Sequence, residues 1–219
     1  MVEREYKWLV EPAFPPLEAL QGALRSCGLV PEPLGERHQE DLYYDLPGEV
    51  LRRRGVALRV RRFAGQQLVT LKAPGRVRGG FHEREELELP LATAAEDAVA
   101  WPAAIRTRLA ALGGLAAEDD LAALTPLLRI ATHRRRVGLH PPQPGARGLA
   151  ELSFDTVRAR RPHASAPAQT VQFLELELEA APDAPAGALE AVAAALAAHA
   201  ALTPHRHDKV THALMLLGA

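Results

Sequence analysis

TVQFLELELEA, residues 170–180, carries the sharpest alternation in the chain: Glu175, Glu177 and Glu179 interleave with Leu174, Leu176 and Leu178. Successive side chains of a strand point to opposite faces, so such a strand would have one charged and one apolar face. EREYK at residues 3–7 repeats the pattern near the N-terminus. Glu3, Glu5 and Lys7 take one register, and Val2, Tyr6, Trp8 and Val10 the other. A single strand of this kind leaves two readings open. Its charges can face water, or its apolar face can pack outward against helices while the charges point into an interior.

Other segments have the same one-sided charging. VALRVRRF (56–63) sets Arg59 and Arg61 against Leu58 and Val60, and QQLVTLKAP (66–74) puts Thr70 and Lys72 opposite Val69 and Leu71. FHEREELELPL (81–91) alternates Arg84, Glu86 and Glu88 with Leu87 and Leu89. The turn at Ala64-Gly65 and the Gly75, Gly79, Gly80 stretch join these three as an antiparallel meander. HQEDLYYDLP (38–47), LRIATHRRRVGL (128–139) and GLAELSFDTVRARR (148–161) complete a count of about eight strands. Helical spacing appears in PPLEALQGALRSCGL (15–29), over 95–127 around Trp101, Ile105, Leu109 and Leu112, and in the Ala-rich 186–202. A last helix is expected in TPHRHDKVTHALMLL (203–217), started by Thr203-Pro204; PPQPG (141–145) reads as a loop between strands.

Composition narrows the class. With 219 residues and 24% charged side chains at a net charge of −1, nothing in the total favours nucleic acid or an anionic membrane as partner. The lone Cys27, read as a small buried hydrophobe at a helix end, excludes a disulfide framework and a thiolate zinc site. No stretch approaches a membrane span, and charges sit where a signal peptide needs an apolar core. We expect one domain over residues 1–219, a cytoplasmic location and no membrane or nucleic-acid partner; a homodimer is allowed. Only three lysines stand among 26 basic residues, which reads as GC-rich coding bias and discounts some of the arginine signal.

For any one strand the water-facing reading is the default. A water-facing sheet face would mix in Ser, Thr, Gln and Asn, whereas here the polar register is mostly Glu and Arg. An eight-stranded sheet that closes encloses room for side chains or one small ligand. Inward charges must then be paired, hydrated or matched by a ligand. The cations Lys7, Arg59, Arg61, Lys72, Arg84, Arg134 and Arg136 suit a chain of phosphates. The carboxylates Glu3, Glu5, Glu86, Glu88, Glu151, Asp155, Glu175 and Glu177 suit hard divalent cations that bridge protein and phosphate.

The ordered set of EREYK, YYDLP (43–47), ALRVR (57–61), LVTLK (68–72), EREELEL (83–89), RIATHRRR (129–136), AELSFD (150–155) and FLELELE (173–179) resembles the CYTH domain, also called triphosphate tunnel metalloenzymes. The resemblance covers nearly the whole chain. It implies an α+β fold, an eight-stranded antiparallel β-barrel forming a tunnel with helices outside. It also implies a metal-dependent triphosphatase hydrolysing inorganic, nucleoside or other organic triphosphates with Mg²⁺ or Mn²⁺; an adenylyl cyclase and a non-catalytic polyphosphate- or nucleotide-binding module are the alternatives. Carried over, Glu3, Glu5, Glu86, Glu88, Asp155, Glu175 and Glu177 would hold metal. Lys7, Arg59, Arg61, Lys72, Arg84, Arg134, Arg136 and Lys209 would grip phosphate, with Glu3, Glu5, Lys7 and Glu177 at the chemistry. Asp208 before Lys209 departs from the small residue usual there, and no CHAD-like domain follows, so a stand-alone module is expected.

Other chemistries find less support. There is no P-loop sequence, so phosphate would be held by side chains. His133, His140, His163, His199, His205, His207 and His212 lack the spacing of a metal motif; a polar helix start is preferred over a metal site for His205 and His207. Ser153 and Ser165 have no nucleophile-elbow context, and Trp8 and Trp101 read as packing residues.

Overall fold

Ten antiparallel strands form one sheet in the computed structural model of the chain, which describes residues 1–92, 99–113, 121–143, 145–162 and 169–218. They are β1 (Val2–Val10), β2 (Val30–Asp45), β3 (Ala57–Phe63), β4 (Gln66–Lys72), β5 (Arg76–Arg78), β6 (Phe81–Pro90), β7 (Thr125–His140), β8 (Ala150–Arg160), β9 (Thr170–Ala180) and β10 (Thr203–Pro204). Eight of them run in the order β1-β9-β8-β7-β2-β3-β4-β6, and the pairing of β6 with β1, from Val2↔Glu85 to Tyr6↔Phe81, closes the barrel. β5 extends β6 as a hairpin, and β10 pairs with β1 at Trp8 and Leu9, beyond where β6 leaves off. Closure removes the unpaired edges that an open sheet must protect.

The β5–β6 hairpin turns on Gly79 and Gly80, with φ of 56° and 85°. Two successive positive φ values are what a tight two-residue hairpin needs. At Gly80 a Cβ would also lie 2.9 Å from the Lys7 carbonyl oxygen, so glycine is required on both counts. The expected turn at Ala64-Gly65 has the same form, with Ala64 accepting a φ of 46°.

Helices cover the barrel on two sides. A 3-10 turn at Leu17–Leu20, α1 (Gln21–Ser26) and α4 (Ala188–His199) bury Leu20, Leu24, Leu189 and Leu196 against Trp8, Leu152, Phe154, Leu176 and Leu178. On the other side α2 (Val50–Arg53) and α3 (Ala103–Gly113) set Leu51, Ile105 and Leu109 on Leu42, Leu58, Val60, Val69 and Leu71. These wall residues are the apolar registers of the strands, so the charged registers face inward. At the start of β1 this cover is missing, and Val2 is 55% exposed. Cys27 is half-buried, its thiol near the carbonyls of Ala23 and Ala191.

One end of the barrel is filled. There the inner register changes from charged to apolar, and Tyr43, Leu128, Ile130, Val157 and Phe173 close around Val210, Ala213 and Leu214 of α5 (Lys209–Leu216). The C-terminal helix therefore plugs the barrel from below.

Several boundaries differ from those expected. Residues 203–217 are not one helix: Thr203-Pro204 is bonded to β1 as a strand, and α5 begins only at Lys209, capped by Asp208. The helix expected over 95–127 is ordered as α3, its surroundings at 93–98 and 114–120 lie outside the described residues, and its last residues, from Thr125, are already strand β7. β2 starts at Val30 rather than near His38, passing a bulge between Pro33 and Gly35. His163, Ser165 and Pro144 lie outside the described residues. Among the described residues no helix is long and apolar enough to cross a membrane.

Candidate active site

The inward registers surround a cavity of about 290 Å³. β1 contributes Glu3, Glu5 and Lys7; β3 contributes Arg59 and Arg61; Lys72 comes from β4; Arg84, Glu86 and Glu88 come from β6. β7 adds Arg134 and Arg136, β9 adds Glu177, and Lys209 enters from α5 below. Of the residues singled out in the sequence, Asp155 and Glu175 alone do not line this space. Both are fully buried behind it.

Nearly every charge has a partner of opposite sign. Glu3 accepts from Lys72 at 2.6 Å and from Arg84 at 2.8 Å, and Arg84 also donates to Glu5 at 3.3 Å. Lys7 lies 3.2 Å from Glu5 and 3.1 Å from Glu177. Arg61 grips Asp41 with two bonds of 2.7 and 2.8 Å, and Arg59 stands 3.6 Å from the same carboxylate. At the bottom, Asp155, Glu175 and Glu177 bring one oxygen each to within 4.8 Å of one another. The Lys209 ammonium sits among them, 3.0 Å from Asp155, 2.5 Å from Glu175 and in contact with Glu177. Arg134 binds Asp155 through two nitrogens at 2.8 and 2.6 Å and also reaches Glu177. His205 Nδ1 is 2.6 Å from Glu175. Buried carboxylates this close require such cations.

Strand register gives the wall an uneven balance. Glu5 on β1 is directly opposite Glu179 on β9, and Glu179 is opposite Glu151 on β8. Like charges directly opposite one another destabilise a sheet. Arg136 neutralises Glu151 with bonds of 2.9 and 2.6 Å. Glu179 has no ion pair or hydrogen bond among the described residues. Burial, then Glu5 and Glu3, push its carboxyl up to about 7. Glu5 is also raised, by burial and by Glu3, against the pull of Lys7.

Deeper in the site the balance reverses. Burial alone would raise Glu175, but Lys209, with Lys7 and His205, brings it down to about 2. Glu177 is held well below the usual range, since Lys209, Lys7 and Arg134 outweigh its burial. Glu3 behaves likewise, with Lys72, Arg84 and Lys7 overcoming burial. Lys7 is driven well above the ordinary lysine value by Glu177 and Glu5 despite the cost of burial. His82, whose Nε2 is 2.8 Å from the His205 carbonyl oxygen, is lowered to about 4 by burial and Lys7 and is neutral at pH 7.

All anionic donors here are carboxylates, the ligand set of hard divalent cations. The Asp155–Glu175–Glu177 triad already holds an ammonium. The Glu5–Glu179 row faces the cavity with negative charge in excess, and a cation there would relieve it.

Some wall residues were not picked out from the sequence as site residues. Arg37 lines the cavity from the part of β2 that two prolines disguised as loop, and its guanidinium lies over the Phe63 ring. Glu179 belongs to the quoted alternation and could have been found by extending it one step. Asp208 and Tyr43 complete the lower wall. His205 is not part of a helix start; it is a buried partner of Glu175. In THRRRV (132–137), Arg134 and Arg136 line the cavity, while Arg135 lies over the Phe154 ring.

The family model for the CYTH domain matches residues 1–214. Among solved structures, the chain is similar to a candidate adenylyl cyclase from Hippeastrum described as having a dominant triphosphatase activity (18% identity, 97% of this chain and 95% of that one, TM-score 0.64). It is similar to a candidate adenylate cyclase from Bacillus halodurans (16% identity, 95% of each chain, TM-score 0.59). It is also similar to the PH1819 protein from Pyrococcus horikoshii (17% identity, 99% of each chain, TM-score 0.53). At these identities the likeness is one of fold.

Proposed function

Since the chain belongs to the CYTH family, we propose that it is a divalent-cation-dependent triphosphatase, which binds a phosphate chain inside the barrel and hydrolyses one of its phosphoanhydride bonds. The observation that carries this reading is the pairing of inward cations with a carboxylate row that lacks its full share of them. A polyanion alone would not need the Glu5–Glu179 row, and a cation alone would not need so many arginines.

Lys7, Arg59, Arg61, Lys72, Arg84, Arg134, Arg136 and Lys209 would take the phosphate oxygens. Most of these groups are held by internal carboxylates, so binding is an exchange of partners within a preorganised polar interior. Glu3, Glu5 and Glu177 would hold the cation, joined by Glu179 across the strand pair. Glu86 and Glu88 are available from β6. Asp155 and Glu175 would act at one remove, by fixing Lys209 and Arg134. Mg²⁺ or Mn²⁺, when bound, would supply charge neutralisation on the phosphoryl oxygens and a more acidic water. The attacking water would be oriented by Glu3, Glu5 or a late-strand glutamate, with no covalent enzyme intermediate, and the arginines would stabilise the charge developing on the leaving phosphate.

The Hippeastrum neighbour's dominant triphosphatase activity accords with this reading. The cyclase alternative needs a place to read a base, and among the described residues Tyr43 is the one aromatic side chain on the cavity wall. The test is incubation with inorganic triphosphate, ATP, thiamine triphosphate and long-chain polyphosphate, each with Mg²⁺, Mn²⁺ or chelator. Orthophosphate release that needs the metal is expected. Release from none of the four would sink the hydrolase reading, and cyclic AMP with pyrophosphate from ATP would replace it with the cyclase.

A further inference from the structure

Below the main cavity a second hollow, of about 230 Å³, opens beside α5 between the 73–77 segment and residues 206–208. Arg84 and Asp208 line both spaces and so form the partition between them. Asp208 Oδ2 is 3.9 Å from Arg84 Nη1, and Asp208 Oδ1 accepts the Thr211 backbone N–H at 2.8 Å as the helix cap. With one oxygen held by the cap and the other turned toward Arg84, the carboxylate is fixed between the two hollows. Burial works against its charge, but Arg84, the hydrogen bonds of Thr211 and Lys7 together outweigh burial and hold it below the usual carboxylate range. Beyond it stand Arg76 and Arg206, both exposed and without an ion-pair partner among the described residues. Glu83, opposite Arg76 on the β5–β6 ladder, is the one other carboxylate described there.

We propose that Asp208 is a chain-length stop, which admits a triphosphate to the cavity and turns away linear inorganic polyphosphate of four or more units. This rests on the triphosphate reading of the cavity. A fixed, partly buried anion repels a further phosphate strongly, because charges a few ångströms apart interact through a low effective dielectric. Past that point the hollow is cationic, and a phosphate reaching it would be met by two arginines free to bind it. The polarity of one side chain therefore separates a three-phosphate site from a continuous polyanion path. It also gives the aspartate before Lys209, unexpected in the sequence, a role that a small residue could not fill.

The test compares wild type, Asp208→Asn, and Asp208→Asn combined with Arg76→Ala and Arg206→Ala. Triphosphate and tetraphosphate are followed by kcat/KM with metal and by calorimetric Kd with the metal chelated. Asn caps a helix as well as Asp, so α5 is retained, and a urea midpoint checks it. Wild type should prefer triphosphate by about ten-fold or more, an effect of about 1.4 kcal/mol. Asp208→Asn should bring the two chains close to equal, and the triple variant should restore most of the preference. An unchanged ratio in Asp208→Asn, equal handling of both chains by wild type, or a triple variant identical to Asp208→Asn would each overturn the proposal. If wild type hydrolyses neither chain, the triphosphatase reading falls, while the ratio of dissociation constants still decides the stop. Failure of wild type to bind either chain overturns both.

Discussion

Replacing Lys209 by Met removes a charge while keeping much of the side chain's bulk, and it strikes the most densely charged point of the barrel. The ammonium it deletes bridges Asp155, Glu175 and Glu177, which lie within 4.8 Å of one another. Arg134, Lys7 and His205 remain as partners. In the wild type Glu175 sits at about 2 against an ordinary 4.5. That depression corresponds to about 3 kcal/mol of stability at neutral pH. It is present above the ordinary value and lost as pH falls from about 4.5 toward 2, so a variant lacking Lys209 is penalised most at neutral pH and least in acid. Breaking a buried pair costs about 3–5 kcal/mol, which for a chain of this size lowers Tm by roughly 6–20 °C. The assay is urea unfolding in chelator, followed by fluorescence of the buried Trp8, at pH 7 and at pH 4. A midpoint equal to wild type at pH 7, or a penalty as large at pH 4 as at pH 7, would show that Lys209 does not hold the three carboxylates in this way.

Glu5→Gln removes one of two like charges facing each other across β1 and β9, so the metal-free protein should gain about 0.5–1 kcal/mol in urea while metal-dependent turnover is nearly abolished; undiminished activity or an unfolded variant would count against the role. Glu179, raised to about 7 from 4.5, keeps a proton in the folded barrel that the unfolded chain has released. Its ionisation therefore lowers stability as pH rises across that window, and the stability of Glu179→Gln relative to wild type should climb between pH 4.5 and 7 and level off above; a flat difference contradicts this. Leu214→Ala hollows the plug that closes the barrel's lower end and should cost about 2–5 kcal/mol in urea unfolding, whereas a cost near zero would show that α5 does not seal that end.

The alternation of EREYK, VALRVRRF and FLELELE made the barrel legible because its strands read apolar on one face and charged on the other. The closed β1–β6 pairing then turned those charges inward. Glu3, Glu5, Lys7 and Glu177 were visible for that reason. What stayed hidden depended on pairing rather than pattern. Pro31 and Pro33 disguised the first half of β2, and with it Arg37, because only the ladder to β7 and its bulge show that the segment is a strand. Thr203-Pro204 resembled a helix start until β1 supplied a partner. The apolar plug could not be foreseen from the strands alone, since Leu128, Ile130 and Phe173 share a register with the charged residues and differ from them only in depth along the barrel. Asp155 and Glu175 were recognised as inward, but Lys209 and Arg134 screen them from the cavity, and screening is a property of three dimensions.

In the proposed function the barrel interior binds a triphosphate and a divalent cation and brings them to reaction. Orthophosphate release from inorganic triphosphate by the purified wild-type protein, measured with Mg²⁺, with Mn²⁺ and with excess chelator, tests it most directly. Multiple turnovers with either metal and none in chelator are expected; no release with either metal, or equal release in chelator, would contradict this function.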